Sequence, residues 1–103
     1  MNEQKPKIVI EVDTDMADIM PIFLDGLTKD VALAEEALKK SDFQFLVNFA
    51  HKLRGNAPSY GFIDLGLMGT ALEKLAKGNE LNSCRDLFKK IEDYVSRLEV
   101  KYV

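Results

Sequence analysis

The stretch Asp42-Phe43-Gln44-Phe45-Leu46-Val47-Asn48-Phe49-Ala50-His51-Lys52-Leu53-Arg54-Gly55 decides how the chain is read. Leu46, Phe49, Ala50, Leu53, Ala57 and Tyr60 recur at helical spacing. At about 100° per residue they cluster within roughly 50° of one direction, which marks the core face of an amphipathic helix. His51 lies roughly 155° from that direction, near the middle of the solvent face. Gly55 lies beside it one turn later, Pro58 follows in the same row, and Gln44 lies two turns before. Arg54 and Lys52 flank it, and Val47 sits at the edge between the core and the His51 face. Ser41-Asp42 breaks the preceding helix and caps this one.

Similar stripes lie on either side. Phe23, Leu27, Val31, Ala34 and Leu38 mark a helix from about Pro21 to Lys40. Leu65, Met68, Leu72 and Leu75 mark another from near Asp64, stopped by Gly78-Asn79. Cys84, Leu87, Phe88, Ile91, Val95 and Leu98 mark the last, from near Leu81. Four long amphipathic helices joined by short turns predict an all-α, antiparallel up-down four-helix bundle. A short extra N-terminal helix is expected over Met16–Met20, capped by Asp13, Thr14 or Asp15. Residues 1–6 read as a loose tail and 7–12 as an extended segment, with Ile8, Ile10 and Val12 on one side. Val100-Lys101-Tyr102-Val103 is also β-prone, and the up-down topology returns it to residues 8–12. The two segments are expected to pair or pack across one end of the bundle; a fraying last helical turn is the alternative. Residues 1–103 form one domain on this reading.

Composition excludes several classes. The chain has 103 residues, enough for one modest core, and its 47% apolar and 30% charged content is that of an ordinary soluble protein. The net charge is -3 and the basic residues are dispersed, which argues against a nucleic-acid footprint. No apolar run approaches the roughly 20 residues of a membrane span, and Met1–Pro6 has no signal-peptide core, so a cytoplasmic protein is expected. Cys84 is alone, and one Cys with one His does not make a typical zinc site. Asp25, Asp30, Glu35 and Glu36 read as a solvated face, and no glycine-rich nucleotide loop is present. The chain has no visible means of using ATP. Tyr60 and Phe62 are expected to close the bundle end. Tyr94 and Tyr102 read as exposed, which would suit weak self-association.

The chemistry concentrates around His51. A free imidazole titrates near pH 6.5, so it is mostly neutral and nucleophilic at neutral pH. Gly55 costs a helix about 1 kcal/mol relative to alanine, a cost explained if a partner or phosphate must approach closely; packing against another helix is the bland explanation. Lys52 and Arg54 can offset phosphate charge, Arg54 through two parallel hydrogen bonds. Asn48 or Gln44 is placed to hydrogen-bond the second ring nitrogen and fix the tautomer, Asn48 with the better helical spacing. Taken singly, an exposed histidine or a basic pair on a helix is usually just solvated surface.

The run His51-Lys52-Leu53-Arg54-Gly55, continued by Asn56-Ala57-Pro58-Ser59-Tyr60-Gly61-Phe62, resembles the signature of histidine-containing phosphotransfer (HPt) domains. Phe23-Leu24, Asp30, Ala37-Leu38 and Asp42-Phe43 resemble the preceding helix of that family, and Leu72-Glu73-Lys74-Leu75-Ala76 the following one. The likeness spans roughly residues 12–100. It implies a phosphocarrier of two-component phosphorelays in which His51 accepts a phosphoryl group on its distal ring nitrogen. His51 would pass it to or from a receiver-domain aspartate. Arg54 matches the phosphate-contacting basic position, where lysine is more usual, and Gly55 the position that leaves room beside the imidazole. Pro58 departs from the small residues common there, and predicts a kink or early loosening between Arg54 and Pro58. Val47, Pro58 and exposed apolar residues of the preceding helix would form the docking rim. The implied partners are receiver domains of response regulators and a sensor or hybrid histidine kinase, with no nucleic acid and no membrane. No cofactor is implied beyond magnesium on the receiver, and no kinase activity of the chain's own.

The main alternative is a non-phosphorylated helical adaptor that binds a receiver or kinase through the same face. Met1 and Val103 read as the ends of a free-standing protein, against an excised phospho-accepting domain of a larger kinase. A ligand-binding bundle would need inward-facing polar groups, where the stripes are plainly apolar.

Overall fold

A computed structural model describes residues 5–103. Most of the chain is helical: α1 (Met20–Lys39), α2 (Phe43–Asn56), α3 (Ile63–Lys77) and α4 (Leu81–Arg97). Each helix packs on the next in sequence, and α1 also meets α4. The apolar stripes are the reason. Leu27, Ala34 and Leu38 of α1, Leu46, Phe49, Ala50 and Leu53 of α2, Leu65 and Leu72 of α3, and Cys84, Phe88 and Ile91 of α4 are all buried in one core. Tyr94 is buried as well, at 7% exposure, so the expectation of a surface tyrosine there is corrected. Position 94 follows Ile91 by three residues and falls on the α4 core face.

The boundaries follow local chemistry. Pro21 sits in the first turn of α1, where its missing N–H costs nothing. Asp42 caps α2, its Oδ1 accepting from the Phe45 N–H at 3.1 Å. The α-helix of α2 gives way at Ala57 to a 3-10 turn, Ala57–Tyr60, with Pro58 in its first positions. Proline cannot donate back to Arg54, so the tighter turn takes over. Gly61 then turns the chain at φ 97, a conformation glycine adopts without penalty. After α3, Gly78 is the C-cap and Asn79 supplies the left-handed residue, φ 57. Phe23 stacks on Tyr60 at 4.0 Å between ring centroids and lies 5.8 Å from Phe62, which locks α1 to the α2–α3 connection.

The short N-terminal helix is not formed as expected, while the expected pairing of the two terminal segments is borne out. The expected helix over Met16–Met20 is a single 3-10 turn, Thr14–Met16, with Asp13 Oδ1 accepting from the Asp15 N–H at 2.8 Å. A small sheet is also present: β1 (Ile8–Val12) pairs in parallel with β2 (Leu98–Tyr102), Ile8 opposite Leu98 through Val12 opposite Tyr102. Ile8, Ile10, Val12, Leu98 and Val100 turn toward the core, and Glu11, Glu99 and Lys101 face outward. The start of β1 is tied down. Lys5 Nζ meets Asp93 Oδ1 at 2.8 Å, and Arg97 donates to the Pro6 carbonyl at 3.1 Å. Of the expected loose tail, residues 1–4 lie outside the described residues, while Lys5 and Pro6 are held to α4.

The closest helix contact is between α2 and α3. A β-carbon on Gly69 would lie 2.8 Å from the Arg54 backbone nitrogen and 2.9 Å from the Ala50 carbonyl oxygen. Gly66 stands against the Pro58 ring in the same way, at 2.5 Å from Cγ. Backbone atoms cannot give way as a flexible side chain would. Gly69→Ala is therefore expected to destabilise the protein by about 1–3 kcal/mol despite alanine's higher helix propensity. Gly26→Ala, where the added carbon meets nothing within 4 Å, should stabilise by up to about 1 kcal/mol. Urea unfolding of the two variants measures both, and the opposite signs test the packing.

Candidate functional site

α2 presents His51 to solvent, with 62% of its side chain exposed. Its Nδ1 lies 3.1 Å from Glu73 Oε2 and 2.9 Å from Arg54 Nη2. Glu73 comes from α3 and is the buried charged residue among the described residues, at 6% exposure. Arg54 Nε stands 3.4 Å from Glu73 Oε1, and Lys77 Nζ 3.5 Å from Oε2. One buried carboxylate therefore faces an imidazole, a guanidinium and an ammonium. The close approach at Gly66 and Gly69 is what carries the Glu73 side chain, one turn further along α3, to the ring.

Nδ1 cannot serve both neighbours at once. Protonated, it donates to Glu73; deprotonated, it accepts from Arg54. Burial pushes the Glu73 carboxyl up, but the His51 hydrogen bond and the charges of Arg54 and Lys77 together outweigh it, and the group lies below the ordinary glutamate range. Glu73 is thus an ionised acceptor. With Nδ1 deprotonated, its lone pair would face the ionised Oε2 at 3.1 Å, two acceptors with no hydrogen between them. The proton is favoured on Nδ1, with Arg54 closing on Glu73 Oε1. That leaves the lone pair on Nε2, at the far side of the ring from the carboxylate.

The other residues singled out in the sequence divide into groups. Lys52 lies on the opposite flank, its Nζ donating to Asp30 Oδ2 of α1 at 2.9 Å. Asn48 and Gln44, expected to hold the second ring nitrogen, bond to each other instead, Gln44 Nε2 to Asn48 Oδ1 at 3.1 Å. Glu73 takes that place. Gly55 is exposed, and a β-carbon there would meet nothing within 4 Å. It is not a packing glycine; Gly69 is. Val47 is half-buried at the margin of the helix, and Pro58 is exposed with its ring against Gly66. Beside Lys52 a groove of about 140 Å³ runs between α1 and α2, with Ile22, Phe23, Leu27 and Phe49 in its lining. Ile22, in that lining, and Ile19, the N-cap residue of α1, leave 73% and 47% of their surface in water.

Glu73 and Lys77 are the members that reading the sequence for chemistry passed over. The signal was present as a spacing. Gly66, Gly69, Glu73 and Ala76 fall three, four and three apart, so a carboxylate lies in line with small residues on a helix face that must be buried.

The family model for the Hpt domain matches residues 18–101. The chain belongs to the Hpt domain family. Hpt domains serve phosphotransfer in two-component signalling, as phosphocarriers rather than catalytic kinases, and they work with receiver domains and histidine kinases. No curated protein and no solved structure matches the chain. Among the described residues of this Hpt domain, no helix is long and apolar enough to cross a membrane.

The depressed Glu73 pKa fixes the sign of a pH dependence. A carboxyl whose folded-state pKa lies below its unfolded value contributes stability above the unfolded pKa and loses it as pH falls through the folded one. Glu73→Gln should be less stable than the parent at neutral pH, and the gap should close as pH drops below the ordinary glutamate range. Urea midpoints of both proteins across the acidic range measure this.

Proposed function

We propose that this Hpt domain is a phosphocarrier in which His51 Nε2 takes a phosphoryl group from, and returns it to, a receiver-domain aspartate. The observation that carries the reading is the exposed imidazole whose Nδ1 is held by buried, ionised Glu73. In the transfer the Nε2 lone pair forms the N–P bond in line as the P–O bond to the aspartate breaks, and the electron pair leaves on the carboxylate. Positive charge develops on the ring, and Glu73 stabilises it through the Nδ1–H. Arg54 is then free to swing from Glu73 to the phosphoryl oxygens. Lys77 stays with the carboxylate and keeps it ionised. The reaction runs in both directions, since phosphohistidine and aspartyl phosphate are both labile.

Docking falls on the α1–α2 side. Ile19, Ile22, Val47 and the groove beside Lys52 offer an apolar rim, and the Lys52–Asp30 pair a polar mark within it. Pro58, Gln44 and Asn48 lie farther along the same helix surface. Open space at Gly55 lets the receiver backbone approach the imidazole. Magnesium belongs to the receiver, and the chain needs no cofactor and no ATP site of its own. An antiparallel up-down bundle is the arrangement that the helix contacts and short connections support, and a cytoplasmic location suits the partners.

Incubation with a phosphorylated receiver domain tests the proposal. The native chain should take up acid-labile, alkali-stable label, and His51→Gln should take up none. Glu73→Gln should slow transfer about 10- to 100-fold, the worth of one hydrogen bond to a charged group. Absence of label from several receivers, with the native fold intact, would favour the adaptor reading. Gly55→Ala separates stability from function. It should stabilise the fold by up to about 1 kcal/mol and yet slow transfer, because the new methyl stands where the partner approaches.

A further inference from the structure

Among the described residues the sheet has two strands, so the far side of β2 is an open edge. Val103 N–H donates to the Val12 carbonyl, and Thr14 N–H donates to the Val103 carbonyl. Backbone groups alternate in direction along a strand. Glu99, Lys101 and Val103 therefore turn theirs toward β1, and Leu98, Val100 and Tyr102 turn theirs away. The Leu98 N–H is used by the Val95 carbonyl at the end of α4. What remains on the edge is the N–H and C=O of Val100 and of Tyr102 and the C=O of Leu98. Such a row is a template for another strand. The outer edge of β1 differs, because the Gly61 turn stands beside it: a β-carbon on Gly61 would lie 4.0 Å from the Glu11 carbonyl oxygen.

We propose that β2 pairs antiparallel with β2 of a second copy about a two-fold axis at Val100, giving a four-stranded sheet. Charge selects the register. A pairing centred on Glu99 sets two glutamates opposite each other, and one centred on Lys101 sets two lysines opposite each other; both are unfavourable. Centred on Val100, Glu99 faces Lys101 of the partner subunit, twice by symmetry. Within one chain Lys101 is already opposite Glu11, so each lysine comes to lie between two carboxylates on the outer face of the sheet. On the inner face Val100 meets its own copy, and Leu98 meets Tyr102 of the partner subunit. Tyr102 is 39% exposed in the single chain, so this pairing covers apolar surface. The Val100 N–H meets the carbonyl of its copy, and the Tyr102 N–H that of Leu98. A one-residue slip would put the strands' apolar faces on opposite sides. His51 and Glu73 take no part in the sheet, and the dimer carries two such sites.

Sedimentation equilibrium from micromolar to near-millimolar protein tests this on the full chain and two variants. The parent should show a monomer–dimer equilibrium. Val100→Pro removes a donor that faces away from β1, so it should abolish the dimer while the thermal unfolding curve of the monomer survives. Glu99→Lys replaces two attractive pairs with two repulsive ones and should weaken dimerisation about ten-fold. Both variants should retain phosphotransfer. A parent that stays monomeric throughout, or a dimer that both variants leave as tight as before, overturns the proposal.

Discussion

At Gly69 the backbone of α3 comes so near α2 that no side chain fits between them. The contact has no chemistry of its own, yet the site depends on it. A carboxylate buried without partners would be pushed toward its neutral form. The close approach puts Glu73 within reach of His51 and Arg54, while Lys77, one turn along the same helix, adds a second charge. Together they keep the group ionised at 8% side-chain exposure. The glycines cost helix propensity and return a buried anion aimed at one ring nitrogen.

The Hpt domain thereby divides its histidine into two ends. Nδ1 faces Glu73 and Arg54, and 62% of the side chain is left to the solvent. Arg54 stands between the two roles, close to both Nδ1 and Glu73, and its planar fork suits either a carboxylate or a phosphoryl group. The end of α2 is set by the same economy. Pro58 terminates the α-helix and supplies the surface on which Gly66 rests, so the early end of α2 and the tight packing of α3 have one cause.

Much of the fold was legible because each helix writes its own apolar stripe. The stripe of α2 also pointed His51 outward, and Asp42 and Pro21 marked where helices start. The sheet was half legible. Its segments are β-prone, but only the tertiary return of α4 places Leu98–Tyr102 beside Ile8–Val12, and the parallel direction is not written in either. Glu73 was hidden for a different reason. Beside Leu72 it looks like one more surface charge, and its burial follows from glycines on its own helix. The pairing of Gln44 with Asn48 shows the limit of spacing arguments, since a residue three before His51 on the wheel found a nearer partner one turn back. Tyr94 shows another, because an amphipathic polar tip does not make a residue exposed when its ring falls on the core face.

The roles proposed for Glu73 and Arg54 both turn on which ring nitrogen carries the phosphoryl group. Nitrogen-15 NMR of the phosphorylated chain, correlating ring protons with both nitrogens of His51, reads this directly. Phosphorus on Nε2 with a proton retained on Nδ1 is the result that the Glu73 clamp predicts. Phosphorus on Nδ1, or a phosphorylated chain in which His51 is unmodified, would contradict it.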